Sequence, residues 1–325
     1  MTTNPSYAIG IDFGGTFVKM ARVAEDGTIE DGTIEERASF ATTGLDGVPG
    51  WLDEVERHAT ALVASAGESR EWAGVGVGVP GFVDFDRGFV FNLTNVPGWK
   101  EVPLADLLHQ RFGKPARVEN DVNAMAAGEC AHGAGRGLTD AVFVTLGTGV
   151  GGGLLLGGKI YRGAHSMAGE IGHMTIDMHG IRSPMGVGGV EQYCGNKRIV
   201  EYALARIDEG ADGSEILRLS GGDRTGVTPK AIAQAAGGGD PLGIEVFDHV
   251  ADCLSAMMSS AAYLIQPQAF IIGGGVSAAG PVLFEPLKKH LAERLVSTFY
   301  DLIEIRPAAL GNDAGMIGCA SLAMG

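Results

Sequence analysis

The chain opens its structured pattern with "YAIGIDFG", a continuous apolar run closed by glycine. Such a run reads as a buried strand ending in a tight turn. "FVKMARVAE" then alternates apolar and polar positions, as a returning strand does. "GTIEDGTIEERASF" predicts a third strand with Asp-Gly turns nearby. In "GVPGWLDEVERHATALVASA" the stripe Trp51, Leu52, Val55, His58, Ala59, Leu62 and Val63 falls at helical spacing. "AGVGVGVPG" is a glycine-rich strand, and "VPLADLLHQRFG" runs from Pro103 to Gly113 in the usual order of a short helix.

The second half repeats the theme. "ARVEN" predicts a strand and "DVNAMAAGECAHG" a helix opened by an acidic residue. "AVFVTLGTGVGGGLLLGGKI" is strand, glycine turn, strand. Long helices are expected near 196–208 and 243–266, strands at "AFIIGGGVS" and "IEIRPAAL", and a closing helix at "AGMIGCASLAM". "AIGIDFGGTFVKMARV" and "AVFVTLGTGVGGGLLL" share one plan, with a Gly-Thr pair at matching places. Any two β-hairpins look somewhat alike, but the shared pair favours a duplication. Two lobes of this kind, each offering a glycine hairpin, would make a cleft with two phosphate-facing turns.

Composition narrows the class. The 325 residues suffice for two domains or one large one, and 45% are apolar, so a core can be buried. The 52 glycines gather at strand ends without a G-x-y period. A formal charge of −15 supplies no basic face for a nucleic acid, so none is expected as a partner. "MTTNPSYAIGID" has no basic stretch followed by an apolar one, so no leader is expected. The apolar run "ADCLSAMMSSAAYLIQ" is interrupted by Asp252 and several serines and is short for a membrane span. Cys130, Cys194, Cys253 and Cys319 lie about sixty residues apart and form no CxxC pair. Free thiols in a reducing cytoplasm are the expectation.

Glycine turns let backbone N–H groups approach phosphate oxygens. "GLLLGGKI", from Gly153 to Ile160, matches the start of a P-loop but ends in Ile160 where Ser or Thr must meet magnesium. "GVGVPG" and "GTGVGG" match GxGxxG, yet both lead into strands rather than helices, which argues against a dinucleotide-binding unit. The remaining plan is a pair of hairpins. "DFGGTFVK" places Asp12, Gly14, Gly15, Thr16 and Lys19 at one strand end, and "TLGTGVGGG" places Gly147, Thr148 and Gly149 at another. Asp12 is a candidate to hold Mg²⁺ through water. Lys19 either offsets phosphate charge or faces solvent, and the residues alone leave both open.

"IGIDFGGTFVK", "GVPGFVDFDRGFVFNLTNVPGWKEVPL", "VENDVNAMAAGE", "VTLGTGVGGGLLLGGKIYRGAHSMAGEIGH" and "IIGGGVS" occur in the order seen in the ROK family of sugar kinases, and the chain resembles that family over nearly its whole length. The resemblance implies an α/β fold of the actin/hexokinase-like (ribonuclease H-like) type, with two lobes, duplicated domains and a central cleft. It implies a smaller first lobe over 1–118, a larger second lobe over 119–325, and a closing helix, about 313–325, returning to the first. ATP with Mg²⁺ is the implied phosphoryl donor, a small sugar the acceptor, and a homodimer the implied assembly. Asp121 in "END" corresponds to the catalytic base. Asn120 and Asn95 correspond to sugar-hydroxyl binders, as do Glu170 and His173 in "GEIGH" and, finally, Glu191. Gly274 and Gly275 join the nucleotide-binding glycines.

These residue types suit the chemistry. A carboxylate within hydrogen-bond reach takes the proton of a sugar hydroxyl as it attacks the γ-phosphoryl group. Asp121 sits where a strand gives way to a helix, and the plain alternative for it is a helix cap. Amide and carboxylate side chains read a ring of hydroxyls well, although singly each is more often a turn or surface residue.

Most of the family carries CxCGxxGCxE after "GEIGH", with three cysteines joining the motif histidine on a structural zinc. Here the run reads "SPMGVGGVEQYCG", with Ser183, Met185 and Gly189 at or near the cysteine positions and Cys194 after the Glu. His173, His179 and Cys194 give at most three donors, so no zinc is expected. Glucose is the simplest acceptor; N-acetylmannosamine, fructose and allose kinases share the frame. A ROK-type repressor would carry a winged helix ahead of a first strand that here begins near Tyr7. A non-catalytic sugar binder conflicts with the presence of Asp121 and both hairpins. A polyphosphate donor would favour a basic track that the chain lacks.

Overall fold

The computed structural model describes residues 6–24, 34–67, 70–93, 96 and 98–325. The Asp-Gly turns expected before the third strand lie outside the described residues. The chain divides into two compact units. One contains Met1–Leu138, Gly153–Ala168 and Ala308–Gly325, and the other Thr139–Gly152 and Gly169–Pro307. The sequence placed a break near residue 118; here the helix that follows "END" and the segment 153–168 group with the first unit.

In the first unit, β1 (Ser6–Phe13) turns back into β2 (Phe17–Ala24), and β3 (Ile34–Ala41) adds to its edge. The helix α1 (Gly47–Ala64) buries Trp51, Leu52, Val55, Ala59 and Leu62, five of the seven stripe positions. β4 (Glu71–Val79) lies parallel to β1. A small antiparallel sheet of β5 (Phe82–Asp84), β6 (Phe89–Asn92) and β7 (Lys100–Val102) follows. Then come α2 (Leu104–Phe112), β8 (Ala116–Asn120), parallel to β4, and α3 (Asp121–His132). α2 ends at Gly113, which takes the left-handed conformation usual for a C-terminal cap. The main sheet has the order β3-β2-β1-β4-β8. Phe13, Trp51 and Trp99 form the aromatic centre of its core, with ring centroids 4.9–5.2 Å apart.

The second half of the chain builds the sheet β11-β10-β9-β14-β15. Its members are β9 (Ala141–Leu146), β10 (Val150–Leu156), β11 (Lys159–Ile160), β14 (Ala269–Gly273) and β15 (Glu304–Pro307). The parallel strands β9, β14 and β15 are its centre. The order matches that of the first sheet position for position, as the internal echo in the sequence anticipates. Between them run the short ribbon β12 (Arg182–Ser183) and β13 (Gly186–Val187), then α4 (Glu191–Cys194), α5 (Asn196–Asp208), α6 (Ser214–Leu219), α7 (Pro229–Gly237) and α8 (Pro241–Ile265). α9 (Pro281–Arg294) and α10 (Ser297–Tyr300) separate β14 from β15. Thr228 caps α7 through the N–H of Ala231, and Asp240 caps α8 through that of Gly243, each followed by proline at the first helical position.

The last helix, α11 (Ala314–Met324), belongs to the first unit. It lies directly on the backbone of β1 and β4. A Cβ at Gly10 would strike the Met316 carbonyl, and one at Gly76 the Cys319 carbonyl, so only glycine permits this approach. Among the described residues no helix is long and apolar enough to cross a membrane.

Candidate active site

β8 hands over to α3 at Asn120–Asp121, and the capping role falls to Asn120. Its backbone is extended (φ −63°, ψ 145°), and its Oδ1 accepts the N–H groups of Val122 at 2.9 Å and Asn123 at 3.1 Å. Its Nδ2 donates to the Gly81 carbonyl at 3.3 Å. Asp121 therefore is not the cap that its position in the sequence allowed. It occupies the first turn, half-buried, where its Oδ1 accepts the Val122 N–H at 2.9 Å. The positive end of the helix favours an ionised carboxylate there.

Two residues that the sequence reading did not single out stand behind this turn. Glu119 is only 2% exposed. Its Oε1 accepts the Asn120 N–H at 2.9 Å and the Asn123 amide at 3.2 Å. Its Oε2 accepts from Arg162 Nε at 2.7 Å and Nη2 at 2.6 Å. Arg162 also lies over the Phe85 ring, 3.6 Å from its centroid, and donates to the Ile160 carbonyl at 3.2 Å. Asn95 lies outside the described residues.

The first glycine turn joins β1 to β2. The Gly14 N–H donates to the Phe17 carbonyl at 3.0 Å, and the Thr42 hydroxyl donates to the Gly14 carbonyl at 2.7 Å. The Thr42 N–H donates to the Thr16 carbonyl at 2.9 Å, so the turn is tied from both sides. Gly15 and Thr16 are exposed at its tip. Asp12 and Lys19 face each other in the strand register, with Nζ 3.7 Å from Oδ2. Burial raises the Asp12 carboxyl above its ordinary value, and Lys19 opposes that shift. A lone carboxylate beside an exposed glycine turn is a hard oxygen donor that fits a hydrated Mg²⁺.

In the second unit, Gly147–Gly149 joins β9 to β10, and Gly274 and Gly275 follow β14. The parallel register Gly273↔Thr145 puts both glycine turns at the C-terminal ends of neighbouring strands, the end of a parallel sheet where ligands bind. Gly274 has φ +85° and packs on the Leu146 backbone, while Gly275 is open. The Gly147 N–H donates to the Gly149 carbonyl at 3.0 Å, and the Asn196 N–H to the Gly147 carbonyl at 2.8 Å. Thr148 sits between them, and its carbonyl is close to Gly195.

Glu170, His173 and Glu191 come together within this same unit. His173 Nε2 is 3.8 Å from Glu170 Oε2. Burial raises the Glu170 carboxyl, His173 opposes the shift and Glu191 adds to it. Glu191 Oε2 accepts the Val150 N–H at 3.0 Å, directly beside the second glycine turn.

The segment between His173 and Glu191 is held by backbone hydrogen bonds. Ile176 N–H donates to Gly188 at 2.8 Å, Gly188 to Ile181 at 2.8 Å, and Val190 to Met174 at 3.1 Å. Pro184 and Met185 form the tip of the β12–β13 ribbon. Tyr193 Oη reaches Asp177 and accepts the Ile181 N–H, both at 3.3 Å. Cys194 is buried and donates to the Val250 carbonyl at 3.6 Å. Among the described residues no three His, Cys, Asp or Glu side chains are clustered to hold a metal ion. Ser183, Met185 and Gly189 offer no thiolate, so this donor set does not fit a structural zinc.

The ROK family model matches residues 8–325. The glucokinase of Halalkalibacterium halodurans is 35% identical over 323 residues, covering 95% of this chain and 92% of that protein. The glucokinase of Streptomyces coelicolor is 33% identical over 318 residues, covering 97% and 96%. A crystal structure of a ROK family glucokinase from Streptomyces griseus in complex with glucose and AMPPNP matches with a TM-score of 0.80 at 35% identity, covering 97% of this chain and 98% of that one. With the family model spanning nearly every residue and the same order of strands repeated in two sheets, this chain belongs to the ROK family and has its two-lobed, hexokinase-like fold.

Proposed function

We propose that this chain is a sugar kinase that transfers the γ-phosphoryl group of ATP to a hexose hydroxyl, with glucose as the acceptor and Asp121 as general base. The observation that carries the base is the division of labour at the start of α3. Asn120 caps the helix, and Asp121 stands beside it in the first turn, where the positive helix end favours the ionised carboxylate that a base needs. A positioned carboxylate of this kind is worth about 10²–10⁴-fold in rate. Glucose and ATP are supported by the glucokinase relatives and by the glucose and AMPPNP complex of the Streptomyces griseus protein.

In this reading Asn95, Asn120, Glu170, His173 and Glu191 read the sugar hydroxyls. The turns at Gly14–Thr16, Gly147–Gly149 and Gly274–Gly275 present backbone N–H groups to the nucleotide. Mg²⁺ carried with ATP would neutralise charge on the transferred group. Asp12 would hold one of its waters, with Lys19 balancing the charge. A cytoplasmic homodimer completes the reading on the strength of the family resemblance.

A coupled ADP-release assay across hexoses and N-acetylhexosamines tests it. The highest kcat/KM is expected with glucose. A higher value with N-acetylmannosamine, fructose or allose would reassign the acceptor, and no release with any sugar would remove the kinase reading.

A further inference from the structure

The turn that carries the candidate base is capped by Asn120 and braced from behind by Glu119 and Arg162. Glu119 touches two residues of the turn that flank Asp121, through the Asn120 N–H and the Asn123 amide. Its second oxygen is gripped by two nitrogens of Arg162 at 2.7 and 2.6 Å. A nearly fully buried carboxylate is costly unless paired and hydrogen-bonded, and this one has four donors. The planar guanidinium is held in turn by the Phe85 ring and the Ile160 carbonyl. Arg162 therefore has one available orientation, and it transmits that orientation to Glu119.

A second sign of Glu119's hold lies in Asn123. That side chain points its NH₂ at Glu119, and its buried Oδ1 is left without a hydrogen-bond partner. An orphaned buried carbonyl costs free energy. The amide tolerates this orientation because the carboxylate imposes it. The network thus shapes the first turn of α3 at the expense of local satisfaction, as expected at a site selected for geometry.

We propose that Glu119 and Arg162 are positioning residues that hold the Asn120–Asp121 turn in the geometry for proton abstraction. The proposal rests on Asp121 acting as the base. Small displacements of a catalytic group are costly, with about 1 Å enough to lose on the order of 10²-fold in rate.

The test uses the double variant Glu119→Met/Arg162→Met, with Arg162→Lys and Asp121→Asn alongside. The paired replacement leaves no lone buried charge and keeps the volume, which avoids the instability of either single change. In the double variant kcat is expected to fall about 10²-fold while KM for glucose stays within about threefold. Arg162→Lys keeps the charge but loses the two-pronged grip, so its kcat is expected to fall between the two. Wild-type kcat in the double variant would overturn the proposal, as would a loss confined to KM. If Asp121→Asn is impaired while the double variant keeps wild-type kcat, only the positioning role fails. If Asp121→Asn turns over normally, the base assignment fails instead.

Discussion

Glu191 and Gly149 are 42 positions apart in the chain, yet the Glu191 carboxylate occupies the space where a Gly149 side chain would begin. It stays there by accepting the Val150 N–H at 3.0 Å. A residue assigned to the sugar is thereby part of the wall of a turn assigned to the nucleotide. Gly149→Ala would push a flexible carboxylate rather than fixed backbone, so the fold is expected to survive with a stability loss of about 1–2 kcal/mol. The Val150 contact would break, and KM values for both glucose and ATP are expected to rise. Shortening the intruding side chain with Glu191→Asp should restore part of the loss. Steady-state kinetics with each substrate varied separately would show it; an unchanged pair of KM values would remove the coupling.

Asp121→Asn preserves the shape of the first turn, including an oxygen for the Val122 N–H, and removes the base. Turnover is expected to drop by about 10²–10⁴-fold. Glucose affinity, measured by calorimetry, should change little. Near-normal kcat would show that some other group takes the proton.

Asp12 links activity to stability through pH. Burial, opposed by Lys19, raises its folded-state value above the ordinary 3.8. A carboxyl with a raised folded value favours the folded state fully below its unfolded value, and that contribution is lost as pH rises through the folded one. Asp12→Asn removes the penalty, so the variant is expected to be the more stable at pH 7, with the gap closing toward pH 4. Its activity should fall. Urea midpoints at both pH values decide the sign, and a gap independent of pH would contradict the burial argument.

Glu129 is fully buried and accepts the N–H groups of Ala134 at 2.7 Å, Ala309 at 3.1 Å and Leu310 at 2.8 Å. It pins the approach to α11 against α3. Glu129→Ala removes the acceptor shared by three backbone N–H groups and opens a void, for an expected loss of about 3–5 kcal/mol. A urea midpoint near the wild-type value would show that water replaces the carboxylate.

The segment 174–190 closes on itself through backbone bonds and a tyrosine, with Cys194 turned into the core. Purified protein is expected to carry no stoichiometric zinc, and treatment with a zinc chelator followed by return to Mg²⁺ should leave the melting temperature unchanged. One equivalent of zinc per chain in elemental analysis would overturn this.

Most of the sheet scaffold was legible because its strands are apolar runs that end in glycine, a signal carried within a few residues. β1, β4, β9 and β14 all read this way. Of the ribbon β5–β7 only a strand after "GVGVPG" was legible, since strands of three and four residues are too short to show a period. The helices α6, α7 and α9 were also missed, although Thr228-Pro229 was a visible start signal for α7. At the candidate site, Asn120 and Asp121 are adjacent and both are good capping residues, so sequence alone left the cap open. Arg162 and Glu119 meet across 43 positions, a pairing that no local pattern encodes.

The return of α11 to the first unit has a kinetic side. β1 and β4 present bare backbone at Gly10 and Gly76 that the last helix covers. On the ribosome, every residue of the second unit must be made before that helix exists. The first-made half is therefore expected to wait, incompletely buried, while the second reaches its own fold. Nascent-chain protease resistance would follow the order of completion, not the order of synthesis.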